Sequence, residues 1–134
     1  MHVVSLELFS TAIIRLEEVD PNGATDDHMI HLFTTLARTN NSSLKKLYIT
    51  SMDFTTLPAD IFSQAILKME DVCLGDSYVT AGQVKAVLSS ILRASAKDVN
   101  LKIFEVSPIF DDDEEDIDPQ VLSKAKERVN LVVR

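Results

Sequence analysis

Cysteine is nearly absent: Cys73 is the only one in 134 residues, so no disulfide can close within the chain. That usage fits a reducing compartment. The chain has only 3 glycines and 4 prolines, which excludes long flexible linkers. Gly23, Gly75 and Gly82 are too scattered to build a phosphate-cradling loop. No apolar run approaches the roughly 20 residues a membrane-crossing helix needs. Residues 1–9, Met-His-Val-Val-Ser-Leu-Glu-Leu-Phe, lack the basic start of a secretory signal. Together these absences predict a soluble cytoplasmic protein. No basic footprint is visible, so neither nucleic acid nor a membrane surface is an expected partner.

What is there is an ordinary globular balance, 46% hydrophobic and 25% charged, in a length that suits one domain spanning 1–134. The net charge of −8 is local: the run Asp111-Asp112-Asp113-Glu114-Glu115-Asp116 carries six of those negative charges. Such a run repels itself and reads as a solvated loop, or as a contact for a basic partner surface. It lacks the spaced oxygen ligands and turn glycine of a calcium loop.

The chain repeats itself. Glu7 to Val19, ELFSTAIIRLEEV, matches Asp60 to Val72, DIFSQAILKMEDV, at an ungapped offset of 53. Six pairs are identical, six keep their chemistry, and only Thr11/Gln64 differs in kind. A second unit type follows each copy. Thr25 to Leu36 and Thr80 to Ile91 carry apolar residues at Met29, Leu32, Phe33, Leu36 and at Val84, Val87, Leu88, Ile91. That i, i+3, i+4, i+7 spacing is one face of a helix. Thr25 and Thr80 stand at N-cap positions, and Gln83 completes a capping box with Thr80.

Strand-like frames close each unit: Leu16-x-x-Val19, Leu44-x-x-Leu47-x-Ile49, Met69-x-x-Val72-x-Leu74, Leu101-x-x-Phe104-x-Val106 and Val129-x-x-Val132. They place strands near 16–20, 44–50, 69–75, 101–107 and 129–133. Ile117 to Ala125 aligns with Leu57 to Ala65, after which charges replace apolar residues. Residues 118–134 therefore read as a polar C-terminal cap, as a repeat with no neighbour requires.

These L-x-x-L-x-L frames with helices between them resemble leucine-rich repeats of the ribonuclease-inhibitor-like class. That class includes Ran GTPase-activating proteins, tropomodulin-type proteins and the sensor ends of NOD-like receptors. The resemblance runs from about Leu6 to Val133. It implies an α/β right-handed solenoid with about five parallel strands on a concave face and helices on the convex face. The family usually carries Asn or Cys after the second strand leucine; here only Asn22, three after Val19, resembles that, and Met52 and Ser77 stand at the later equivalents.

The implied function is protein–protein interaction through the concave strand face or its rim loops. The x positions should display three columns: Glu17, Lys45, Glu70, Lys102, Asn130; then Glu18, Lys46, Asp71, Ile103, Leu131; then Asp20, Tyr48, Cys73, Glu105, Val133. Candidate partner-binding residues are Lys46, Tyr48, Asp71, Cys73, Ile103 and Glu105, and Tyr48, Ile103, Leu131 and Val133 form an expected apolar patch. The alternating charges are expected to pair across neighbouring strands. Two other readings stand beside this one. The chain can be a structural terminal piece of a larger leucine-rich-repeat protein, which a start inside a helix unit favours. It can also be a GTPase-activating regulator, though nothing marks Arg15 or Arg38 as catalytic. Enzyme chemistry, a cofactor and a metal are not expected: Cys73 lies in a strand frame, while His28 and His31 share a helix and their i, i+3 spacing is a weak metal signal.

Overall fold

The computed structural model describes residues 13, 18–19, 25–40, 42–95, 99–109 and 117–133. The chain alternates short strands with helices: β1 (Glu18–Val19), α1 (Asp26–Arg38), β2 (Lys46–Tyr48), α2 (Ala59–Leu67), β3 (Asp71–Cys73), β4 (Val79–Thr80), α3 (Ala81–Arg93), β5 (Ile103–Val106), β6 (Pro108–Ile109), α4 (Pro119–Lys126) and β7 (Asn130–Val133). Five strands form one parallel sheet in chain order, β1-β2-β3-β5-β7. The helices pack in chain order as well, each against the next. Their lengths alternate, 13 residues in α1 and α3 against 9 in α2 and 8 in α4.

Each long helix starts where its threonine dictates. The Thr25 and Thr80 hydroxyls accept from the backbone N–H groups of His28 and Gln83, and the side chains of those residues accept in return from the cap N–H. The apolar stripe of α1 is buried at Met29, Leu32, Phe33 and Leu36, and that of α3 at Val84, Val87, Leu88 and Ile91. Phe33, Phe54 and Phe62 meet at centroid separations of 4.9, 5.7 and 6.1 Å, tying α1, α2 and the loop between β2 and α2 together. Aromatic contacts at such spacing add to the burial of their area.

The strands share a register. Leu47, Val72, Phe104 and Leu131 are aligned partners and all are buried. The turn-in residues Leu44, Met69, Leu101 and Val129 are buried too. The last strand departs from the expected frame. Leu131, not Val132, fills the core column, and Val132 aligns with Glu105. The backbone gives the reason. Lys102 and Ile103 both donate their N–H to the Glu70 carbonyl, and Glu70 and Asp71 both donate to Lys45. At the last strand Asn130 alone donates to Lys102, so that unit is one residue shorter.

A second parallel ladder, which the frames did not foretell, runs beside the first. Asp53 bridges Tyr78, and Val79–Thr80 pairs with Pro108–Ile109. Between the ladders Ser51 and Asp76, 25 residues apart, both adopt left-handed backbone, φ 60° and 61°. The corner beyond them is closed by the buried Ser77 hydroxyl, which accepts from the Met52 N–H at 3.2 Å. Ser77 thus serves the corner where the family resemblance leads one to expect Asn or Cys.

Polar side chains, one of them buried, join one unit to the next. Gln83 Nε2 donates to the Phe54 and Leu57 carbonyls at 2.6 and 2.8 Å, while its Oε1 accepts from Thr80. Lys68 Nζ donates to the Leu36, Ala37 and Thr39 carbonyls at 2.8, 2.8 and 2.7 Å. Arg128, which aligns with Lys68 at the offset of 60, donates through Nη1 to Ile91 and Ala94. Each cation therefore closes the C-terminal end of an earlier helix, where carbonyls lack intrahelical partners and the dipole is negative. Lys68 is half-buried and spends its ammonium protons on those three carbonyls. Arg15, its counterpart in the first copy, lies outside the described residues, as do the candidate column positions Glu17 and Asp20 and the acidic run 111–116.

Two stability outcomes follow from these contacts. Replacing Gln83 by Leu takes the donor from the Leu57 carbonyl and the acceptor from the Thr80 N–H, while Phe54 keeps only the Leu57 N–H, and should cost about 2–3 kcal/mol in urea unfolding; a loss under about 0.5 kcal/mol would show that the side chain does not join the units. Ser51→Gly relieves left-handed backbone at an exposed site and should raise stability by up to about 1 kcal/mol in the same assay.

Candidate functional site

The sheet buries one face only. In β2, β3, β5 and β7 the residues alternating with the core column are exposed or half-buried: Lys46 and Tyr48, Asp71 and Cys73, Ile103 and Glu105, Asn130 and Val132. The period-two geometry of a strand puts these side chains on the side away from Leu47 and its partners. All six candidate residues, Lys46, Tyr48, Asp71, Cys73, Ile103 and Glu105, lie there. Register brings them into two rows of three, Lys46-Asp71-Ile103 and Tyr48-Cys73-Glu105.

The one-residue contraction at the last strand changes the expected columns. Asn130 joins the Lys46 row rather than the Lys102 row, and Val132 replaces Val133 beside Glu105. Leu131 belongs to the core, with 5% of its surface exposed, and Val133 packs partly buried against that core. The expected apolar patch of Tyr48, Ile103, Leu131 and Val133 therefore does not form. Ile103, 39% exposed, is the largest exposed apolar side chain of the face. Two further exposed apolar residues, Tyr78 and Ile109, sit on or beside the second ladder, at 56% and 40%. Sequence reasoning missed them because their segments read as loop.

Charge pairing across strands also differs from the expectation. Lys46 and Asp71 are register partners, yet no ion pair joins them among the described residues. Asp71 Oδ2 instead accepts from the Tyr48 hydroxyl at 2.9 Å. The contact is diagonal, from the second row of β2 to the first row of β3, which a long aromatic side chain can span. Next to it the Cys73 thiol donates to Glu105 Oε2 at 2.9 Å. The face is thus knitted by two hydrogen bonds whose acceptors are carboxylates.

Burial pushes the Cys73 thiol pKa above its ordinary value, and the bond to Glu105 pushes it further. The neighbouring negative charges of Glu105 and Asp71 act the same way, against a backbone contact at Gly75 that lowers it. A reactive cysteine needs the opposite setting, with the thiolate favoured. His28 and His31 lie on α1, and His28 Nδ1 is engaged by the N-terminal cap at Thr25. Among the described residues no three His, Cys, Asp or Glu side chains cluster closely enough to hold a metal ion. Arg38 is exposed in the last turn of α1.

A small polar pocket of about 160 Å³ opens between the end of α1 and the units beside it, lined by Thr39, Asn40, Ser42, Lys68 and Asn100. Burial lowers the Lys68 pKa from the usual lysine value. Three carbonyl acceptors use all three of its ammonium protons, so the pocket presents no spare ammonium donor. Among the described residues no helix is long and apolar enough to cross a membrane.

Comparison with known proteins returns no matching family model, no matching curated protein and no matching solved structure.

The thiol supplies a direct test of the electrostatics. Cys73 should react slowly with iodoacetamide near pH 8. Glu105→Gln removes the adjacent charge and should accelerate alkylation at least about threefold. An unchanged rate would mean that Glu105 does not govern the thiol.

Proposed function

We propose that the chain is a right-handed leucine-rich-repeat solenoid of the ribonuclease-inhibitor-like class, and that its open sheet face binds another protein. One observation carries this reading: a parallel sheet in chain order with one face bare. Parallel sheets in doubly wound and barrel folds are covered on both faces. Stacked strand–helix repeats, whose units touch only their neighbours, cover one face and offer the other. The alternation of 13-residue and shorter helices supports two unit types in tandem.

The bare face has the makings of a recognition surface. Tyr48 and Ile103 offer apolar area, and Lys46, Asp71 and Glu105 offer charges of both signs. The Tyr48–Asp71 and Cys73–Glu105 bonds hold four of these side chains in place, which lowers the ordering cost a partner must meet. A binding module is favoured over an enzyme by the one thiol, whose setting disfavours the thiolate.

The test begins with affinity capture on the whole chain and identification of what is held, followed by titration with the purified partner. Tyr48→Ala combined with Ile103→Glu should weaken binding at least about tenfold, as loss of a buried aromatic or aliphatic anchor does. Gln64→Lys and Lys124→Glu, exposed on α2 and α4, should leave the affinity unchanged. Equal affinity for the face and helix variants would sink the proposal.

A further inference from the structure

Strand β7 stands at one end of the main sheet, and among the described residues no strand pairs with its outer side. A strand in a parallel ladder turns alternate residues to each neighbour. Asn130 donates its N–H to Lys102, so Asn130 and Val132 face β5, and the N–H and C=O groups of Leu131 and Val133 face outward. Such an edge is a template for another strand unless something blunts it. The second ladder shows the blunting device: its last strand, β6, is two residues long and begins with Pro108, which has no N–H. By contrast β7 is four residues long, and Leu131, Val132 and Val133 bring neither proline nor charge.

Geometry limits what can pair there. Opposed residues on antiparallel strands share a face of the sheet. In β7 Leu131 and Val133 pack on the core side, and Val132 lies on the bare side. A second β7 laid antiparallel and centred on Val132 sets Leu131 of each copy opposite Val133 of the other. Each of those pairs closes with two main-chain hydrogen bonds, and Val132 meets its own copy on the bare side. A register centred on Leu131 fails, because it calls on the Val129 N–H, which already donates to Ala125. Charge agrees with the Val132 register. The two α4 helices run antiparallel in it, which brings the Asp118 cap of one toward the Lys124 and Lys126 end of the other, and all three side chains are exposed.

We propose that β7 is a homodimer edge: two copies of this chain pair their β7 strands antiparallel about a two-fold axis through Val132, joining their sheets into one with both bare faces on the same side. The contact is isologous, each copy offering the same residues to the other. It is small beside the roughly 1,600 Å² of a standard interface, so the dimer is a weak one that forms as concentration rises. It does not depend on what the bare face binds.

Sedimentation equilibrium on the whole chain from about 10 µM to about 1 mM should show a monomer–dimer equilibrium. Val132→Lys sets two like charges opposite each other at the axis and should weaken dimerisation at least about tenfold. Engineered thiols fix the register. In a Cys73→Ser background, Val132→Cys places the two Cα atoms about 4.5 Å apart, within disulfide reach, and mild oxidation should link the copies. Asn130→Cys lies about 13 Å along the strand from its own copy and should not link. A chain that stays monomeric up to about 1 mM would overturn the pairing. So would a Val132→Lys variant that dimerises like the wild type, or equal cross-linking at 130 and 132.

Discussion

Neighbouring strands share one buried column, Leu47, Val72, Phe104 and Leu131, and the sheet stays in register only while that column is continuous. A slip of one residue would turn every core side chain outward and every polar one inward. The last strand shows how strictly the constraint operates. Its unit is one residue shorter, yet the chain absorbs the deletion at the corner, between Val129 and Leu131, and delivers an apolar residue to the column. The corner gives way because its backbone bonds can change from two donors to one. The column cannot, because a slip there would turn Asn130 or Val132 inward and Leu131 out to solvent.

Strands of three or four residues cannot hold register by their own hydrogen bonds alone, so the connections share the task. Among the described residues no buried side-chain nitrogen or oxygen lacks a partner. Several of those partners lie in a different unit. Gln83 holds the turn before α2, Lys68 holds the end of α1, Arg128 the end of α3, and Ser77 the corner after β2. Each uses a side chain of one unit to satisfy backbone groups of the unit before it. A missing neighbour therefore leaves backbone groups unsatisfied as well as apolar area uncovered, and stability grows through nearest-neighbour contacts.

Much of this was legible in the chain. The spacing of Met29, Leu32, Phe33 and Leu36, the pairing of Thr80 with Gln83, and the L-x-x-L-x-L frames are local signals with a fixed period, and they locate helices and strands directly. The last strand defeated that approach because Val129, Leu131, Val132 and Val133 are all apolar and give no alternation to read. The cation contacts were illegible for another reason. Lys68 reaches carbonyls 29 to 32 residues away and Arg128 reaches 34 to 37 residues, and carbonyls carry no side-chain signature. The second ladder was hidden because Asp53 and Tyr78 meet in a single bridge and Val79–Thr80 pairs with Pro108–Ile109 over two residues only, too short for any period. On the open face the rows of candidate residues follow from the period of two, whereas the bonds within them do not. Opposite charges in register suggest Lys46 with Asp71, but the tyrosine hydroxyl wins: it brings a neutral donor with an already rigid ring, while lysine must give up rotamer freedom and hydration for an exposed ion pair of little worth.

That outcome bears on the proposed interaction. Asp71 and Glu105 each hold a neutral donor, so their carboxylates are fixed in place on the face. The face thus carries a cation at Lys46 and oriented carboxylates beside Tyr48 and Cys73. Two fully paired charges would offer a partner little beyond shape, and two unrestrained ones would cost entropy to fix. Neutral donors on fixed carboxylates avoid both, so specificity on this reading comes from where the charges are held and not from the net charge of the face.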